Sequence, residues 1–261
     1  MRFCRFISDD VTSYGIVDGE YIVEIQGTPF GPYQIKSVRR RLEDTTLLVP
    51  FVPKTFYAAG LNYLSHITET AESRGEEVKL PDKPDIGYRA NNALIGHNEP
   101  IVIPANATNE VQYEGELVVV IGKEAKHLSE DDALSCVLGY TIGNDVSERS
   151  WQRSDRTMWR SKNTDTFKPM GPWIETDALL DAMRTTVRLN GEEVYQFATN
   201  DMLFGVERYI STMTKNLTLY PGDAIWMGTD GPTLNMKHGD QIEVEITGIG
   251  TLRNQVVRST I

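Results

Sequence analysis

Gln112-Tyr-Glu-Gly-Glu-Leu-Val-Val-Val-Ile-Gly122 reads as a strand: Leu117 to Ile121 is an unbroken apolar run, four of its five residues are β-branched, and Gly122 ends it. Side chains on a strand alternate between faces, so Glu114 and Glu116 point the same way, with Gly115 between them. Two carboxylates on one face at the mouth of an apolar strand repel each other unless something positive sits there. The next acid in a comparably apolar setting is Asp145, in Leu138-Gly-Tyr-Thr-Ile-Gly-Asn-Asp-Val-Ser147. Three hard oxygen donors with little sulfur or imidazole nearby suit Mg²⁺, Mn²⁺ or Ca²⁺ better than zinc. From these residues alone the alternative stays open that both glutamates lie on the solvated face of an edge strand, since charged residues are seldom buried.

Working outward, the 261 residues allow one large domain or a small one plus a larger one. The formal charge of -11 argues against nucleic acid or an anionic membrane as the main partner, but not against a small anionic substrate in a locally basic pocket. Cys4 and Cys136 are few and far apart, as expected of reduced thiols in a cytosol. Residues 1–10 lack the apolar core of a signal peptide, and no run approaches the roughly 18 apolar residues of a membrane span. A soluble, cytoplasmic protein is the expectation.

Residues 1–53 are expected to form a small β-rich domain, with a hairpin turn at Asp18-Gly19 and a short helix over Lys36–Leu42 whose three arginines face solvent. The proline-marked Val49-Pro-Phe-Val-Pro53 sets the boundary to a larger domain, 54–261. That domain opens on a buried strand, Thr55–Gly60, followed by a helix capped by Asn62 and stopped by Gly75. On this helix His66 and Glu69 are three apart and share a face. A carboxylate beside an imidazole fixes its tautomer and raises its basicity, as a water-activating base requires, although surface pairs with this spacing are common. Glu76–Asp85, with prolines at 81 and 84, reads as a mobile connection, and Ile86–Gly96 places Arg89 among small and amide residues. Ser129-Glu-Asp-Asp132 signals a helix running to about Gly139. Arg149 and Gln152 share a face of a further helix, Asn190-Gly191 makes a hairpin, and Leu203–Thr214 has helical spacing. His127 and His238 read as turn residues rather than ligands. No phosphate-binding glycine loop, zinc spacing or nucleophile elbow is present.

Six motifs in order resemble the fumarylacetoacetate hydrolase family over nearly the whole chain: Gly60–Glu69, Tyr113–Lys123, Gly139–Gln152, Lys162–Asp165 with Gly171-Pro172, Pro221-Gly-Asp with Gly228-Thr229, and Gly239–Gly250. The resemblance implies an α+β, predominantly β fold, a mixed β-sandwich roll with a small N-terminal domain, a divalent metal (Mg²⁺ or Mn²⁺, Ca²⁺ also being admissible) and a homodimer. It maps metal ligands onto Glu114, Glu116 and Asp145, and a water-activating dyad onto His66 and Glu69. Lys162 becomes a cationic stabiliser, and Arg149, Gln152, Thr229 and Arg89 become substrate contacts. Three departures fall at the pocket rim: Gly87-Tyr-Arg89 replaces Phe-x-Lys, Asn-Thr-Asp follows Lys162 in place of Gly-Phe-Asp, and the Gly-Thr loop continues Asp-Gly-Pro. They bear on the substrate more than on the chemistry. The expected activity is metal-dependent hydrolysis of a C–C bond in β-diketo acids or acylpyruvates. The alternative is decarboxylation or isomerisation of a 2-oxo acid in the same site.

Overall fold

Alternating apolar residues and tight turns make the first 41 residues an antiparallel meander. In the computed structural model, which describes residues 1–260 (73 and 74 by backbone alone), strands Arg2–Ser8, Val11–Asp18, Tyr21–Gly27 and Tyr33–Arg41 pair in succession. The Arg2–Ser8 strand then pairs with Lys168–Glu175. Through this pairing the meander joins the large sheet, which continues through Val137–Asn144, Gly115–Ile121, Ala224–Trp226, Phe56–Gly60 and Asp85–Tyr88. The Phe56–Gly60 and Ala224–Trp226 strands run parallel and most neighbours are antiparallel, so the sheet is mixed. A five-stranded sheet, from Glu192–Ala198 through Arg184–Leu189, Gln241–Ile246 and Gly250–Arg258 to Ile101–Ile103, packs against it. The expected predominantly β architecture is present.

The Gly115–Ile121 strand is buried along its whole length and packs on both faces. Leu117, Val119 and Ile121 meet Val244 and Ile246 of the smaller sheet and Tyr209, Ile210 and Met213 of α3 (Val206–Thr214). Val118 and Val120 point the other way, onto Phe3, Phe56, Ile174 and Trp226. Each such side chain contributes about 1.5–3 kcal/mol by leaving water. By alternation Glu114 and Glu116 lie on the Val118 face, at the end of that apolar layer, and are buried rather than solvated.

Three local expectations are corrected. Lys36–Leu42 is not a helix: Tyr33–Arg41 is an edge strand, where pairing with Tyr21–Gly27 overrides local helix propensity. Its arginines do face outward, paired with Asp18, Asp9 and Glu43. The helix expected from Ser129 shrinks to one 3₁₀ turn, Ala133–Cys136, although the Ser129 hydroxyl does accept the Asp132 N–H at 3.2 Å. Val137–Asn144 is needed as a central strand, and Gly139 lies so near its neighbour that a Cβ there would sit 2.4 Å from the Glu175 carbonyl oxygen. Asn62 does not cap the helix α1 (Leu64–Arg74), whose N-cap is Tyr63. The buried Asn62 amide instead donates to the carbonyls of Phe204 and Met227 and accepts the Phe204 N–H. Gly75 does end α1, in the left-handed conformation.

One glycine shapes the floor of the future site. Gly143 pairs across the strands with Glu116, and a Cβ on it would lie 2.6–2.8 Å from three ring atoms of Trp226. Gly143→Ala is therefore expected to destabilise the protein by about 1–3 kcal/mol through overpacking. Thermal unfolding reads this at about 2–4 °C per kcal/mol, and an unchanged Tm would refute the contact.

Candidate metal centre

Glu114, Glu116 and Asp145 converge at the end of the Gly115–Ile121 and Val137–Asn144 strands. The Asp145 N–H donates to the Glu114 carbonyl at 2.8 Å, and the Glu114 N–H donates to the Asn144 side chain at 3.0 Å. These bonds hold the two strand ends in register. One carboxylate oxygen from each of the three acids lies within 4.8 Å of the others, and all three side chains are buried.

Four cations close in, Arg89 from before the triad in the chain and Arg149, Lys162 and Lys168 from after it. Lys162 donates to Glu114 Oε2 at 2.6 Å and to Asp145 Oδ2 at 2.9 Å, bridging two of the acids. Arg149, the first residue of α2 (Arg149–Ser154), reaches Glu114 Oε1 at 2.6 Å and the Gln152 side chain at 2.8 Å. Buried Glu148 caps α2 by accepting the Trp151 N–H at 2.5 Å, which fixes the direction in which Arg149 leaves the helix. Arg89 lies along Asp145, with Nε 3.3 Å from Oδ1 and Nη2 2.9 Å from Oδ2. Lys168, fully buried, completes the set at 2.6 Å from Asp145 Oδ1.

The charges divide unequally. Burial would raise all three carboxyls, but Lys162 and Arg149 hold Glu114 at about 2, and Arg89, Lys162 and Lys168 hold Asp145 well below its usual range. Burial pulls Lys168 down to about 7 against the attraction of Asp145. Glu116 has no ion pair among the described residues; it accepts only the Gly228 N–H, at 2.9 Å. Burial, reinforced by Asp145 and Glu114, pushes its carboxyl well above the usual range. The triad can hold a metal ion, because its donors are hard, close together and shielded from water, and because a cation would give Glu116 the partner it lacks.

His66 is half-buried on α1; burial lowers its pKa, Glu114 raises it, and Arg149 and Lys162 lower it further. Its Nδ1 lies 3.4 Å from the Gly231 carbonyl oxygen. No hydrogen bond or ion pair joins it to Glu69 among the described residues; Glu69 is raised by burial and by Asp230 and Glu72. Thr229 is buried between Gly228, which contacts Glu116, and Asp230, which contacts α1. The structure thus gathers Glu114, Glu116, Asp145, Lys162, Arg149, Gln152 and Arg89, but engages Arg149 and Arg89 with the acids themselves.

Lys168 was not anticipated from the sequence. Its signal is a lone charge inside Phe167-Lys-Pro-Met-Gly171, a segment otherwise buried to the last residue. Gln112 and Thr233 were missed too; they tie Arg149 Nε (2.7 Å) and Nη2 (3.2 Å) to the loop after Thr229. His238 is structural as expected, its Nδ1 accepting the Arg258 N–H, and no helix is long and apolar enough to cross a membrane.

Comparison with known proteins agrees with this geometry. A family model described as Fumarylacetoacetate (FAA) hydrolase C-terminal matches residues 55–257, and one described as Rv2993c-like, N-terminal matches residues 1–50. Protein Rv2993c of Mycobacterium tuberculosis is 38% identical over 99% of this chain and 98% of its own length. A mitochondrial oxaloacetate tautomerase of Rattus norvegicus is 34% identical over 87% of this chain and 77% of its own length. Among solved structures, 2-hydroxyhepta-2,4-diene-1,7-dioate isomerase from Mycobacterium marinum superposes with a TM-score of 0.89 at 35% identity, covering all of both chains. Maleylpyruvate hydrolase from Sphingobium sp. SYK-6, in complex with manganese (II) ion and pyruvate, superposes with a TM-score of 0.80 at 25% identity, covering all of both chains.

Proposed function

Because this chain belongs to the fumarylacetoacetate hydrolase family, we propose that it is a Mg²⁺- or Mn²⁺-dependent enzyme that moves a proton next to the carbonyl of a small 2-oxo acid, a keto–enol tautomerase or isomerase. The observation that carries this reading is an imbalance within the site. The cationic side chain that stabilises negative charge is in place, with Lys162 bridging Glu114 and Asp145, while among the described residues no hydrogen bond joins His66 to Glu69, the dyad needed to activate water.

A divalent cation held by Glu114, Glu116 and Asp145 would supply Lewis acidity at the 2-oxo oxygen. Lys162 offsets the negative charge that develops there as a C–H proton leaves. His66 takes that proton and returns it. Arg149, through Gln152 and Thr233, holds the rim of the pocket in place for the carboxylates of the substrate.

C–C hydrolysis of acylpyruvates, the first expectation from the sequence, is the second reading. It is favoured by Glu69 lying one turn beyond His66 on α1, where a change of side-chain rotamer can bring the two together, and by the likeness to a maleylpyruvate hydrolase. Incubation with Mg²⁺ and either oxaloacetate or acetylpyruvate decides. Accelerated decay of the enol absorbance without pyruvate or CO₂ supports tautomerisation; pyruvate plus acetate replaces it with hydrolysis, and CO₂ release with decarboxylation.

The pH dependence follows from His66. Burial lowers its pKa from the usual 6.5, more than Glu114 restores it, so the neutral base persists into mildly acidic solution. The acid limb of kcat/KM is expected to inflect below pH 6.5 and to vanish, with most of the rate, in His66→Asn. An inflection above pH 6.5 would remove His66 from the proton-transfer role.

A further inference from the structure

Resting on the reading of His66 as the proton carrier, we infer that its tautomer is set by the backbone carbonyl of Gly231, held in place by Ser65, Asp230 and Tyr195, rather than by Glu69. A carbonyl oxygen can only accept, so the His66 Nδ1 that faces it at 3.4 Å must carry the proton. Nε2 is then left with the lone pair, available to a substrate C–H. A hydrogen bond of this length is common in a ligand-free site and shortens in the working complex.

The Gly231 peptide is not free to drift. Its N–H donates to the Ser65 hydroxyl at 3.3 Å, and the Ser65 hydroxyl donates in turn to Asp230 Oδ1. Tyr195 packs over the same turn. Its ring covers Gly231 so closely that a Cβ there would lie 1.9 Å from a ring carbon, and Gly231 has φ +71. Ser65 and His66 are neighbours in the first turn of α1, so the same clamp fixes the helix that carries the base and the carbonyl that orients it. Asp230-Gly231 is one of the rim departures noted in the sequence.

Asp230, Ser65 and Tyr195 are thus positioning residues, and Glu69 lies outside the clamp. The test is the ¹⁵N spectrum of His66 above its titration range, readable because the chain has only 4 histidines, together with steady-state kinetics of the Mg²⁺-loaded enzyme. In the wild type Nδ1 should be protonated and Nε2 not. Asp230→Ala and Ser65→Ala should move His66 towards the Nε2–H form and lower kcat about 10–100-fold with KM and metal affinity little changed. Asp230→Asn, which still accepts from Ser65, should restore the wild-type tautomer and most of the rate, and Glu69→Gln should leave the tautomer alone. An Nε2–H tautomer in the wild type overturns the assignment, as does a tautomer that follows Glu69 and ignores Asp230. The spectrum needs no turnover, so an Nδ1–H tautomer in a protein that converts no 2-oxo acid would uphold the clamp and sink the proposed activity.

Discussion

Replacing Lys162 with methionine is expected to lower kcat by about 10²–10³-fold while tightening, not weakening, divalent-metal binding. The two effects have opposite signs because the ammonium does two things. It faces Glu114 Oε2 and Asp145 Oδ2, so it competes with any cation that would use those oxygens. It also supplies the positive charge nearest to where negative charge develops in the reaction proposed here. Removing it relieves the competition and removes the stabilisation together. The fold should survive, since Glu114 keeps Arg149 and Asp145 keeps Arg89 and Lys168; the lost charged hydrogen bonds cost about 1.5–3 kcal/mol. Calorimetric titration with Mn²⁺ beside steady-state rates separates the outcomes. If metal affinity falls along with kcat, Lys162 is a structural brace for the acids and its assigned role is wrong.

What could be read from the residues follows from how locally each feature is encoded. The strand itself was legible because five consecutive apolar residues, four of them β-branched, favour that conformation, and alternation then put both acids on one face. The Asp18-Gly19 and Asn190-Gly191 turns were legible for the same reason: the backbone needs positive φ there, which Asn190 (57°) and Gly191 (83°) show. The stretches at 36–42 and 129–139 were misread because their fate depends on distant partners. Tyr21–Gly27 recruits the first as an edge strand, and the gap between Gly115–Ile121 and Lys168–Glu175 recruits the second. Burial of Glu114 and Glu116 could not be decided from their own strand either, since the cations that face them come from residues 149 and 162. Lys168 carries only a weak signal, a lone charge in an apolar segment, and its role shows once Asp145 is placed 2.6 Å from it.

The acid triad also yields a test that needs no substrate. Glu116→Gln is expected to abolish most divalent-metal affinity, by about 100-fold or more, since even outer-shell partners of a metal contribute 10–100-fold. The metal-free protein should become more stable at neutral pH. Burial, with Asp145 and Glu114, raises the folded-state pKa of Glu116 above its ordinary 4.5. A carboxyl raised on folding gives its full stabilisation below that ordinary value and loses it as pH rises through the folded one, so at neutral pH the wild-type acid opposes folding. Glutamine keeps an oxygen to accept the Gly228 N–H and carries no charge, which removes the opposition. With metal the order reverses. Ligand at about 100 times its Kd adds about 2.7 kcal/mol to the wild type, and a 100-fold weaker site forfeits most of that gain at the same concentration. Thermal unfolding in chelator and in excess Mn²⁺ should therefore show the variant above the wild type in the first condition and gaining far less than the wild type in the second. A cluster that was merely a solvated or structural set of acids would show no such difference in metal response, and equal shifts in Mn²⁺ for both proteins would remove Glu116 from the ligand set.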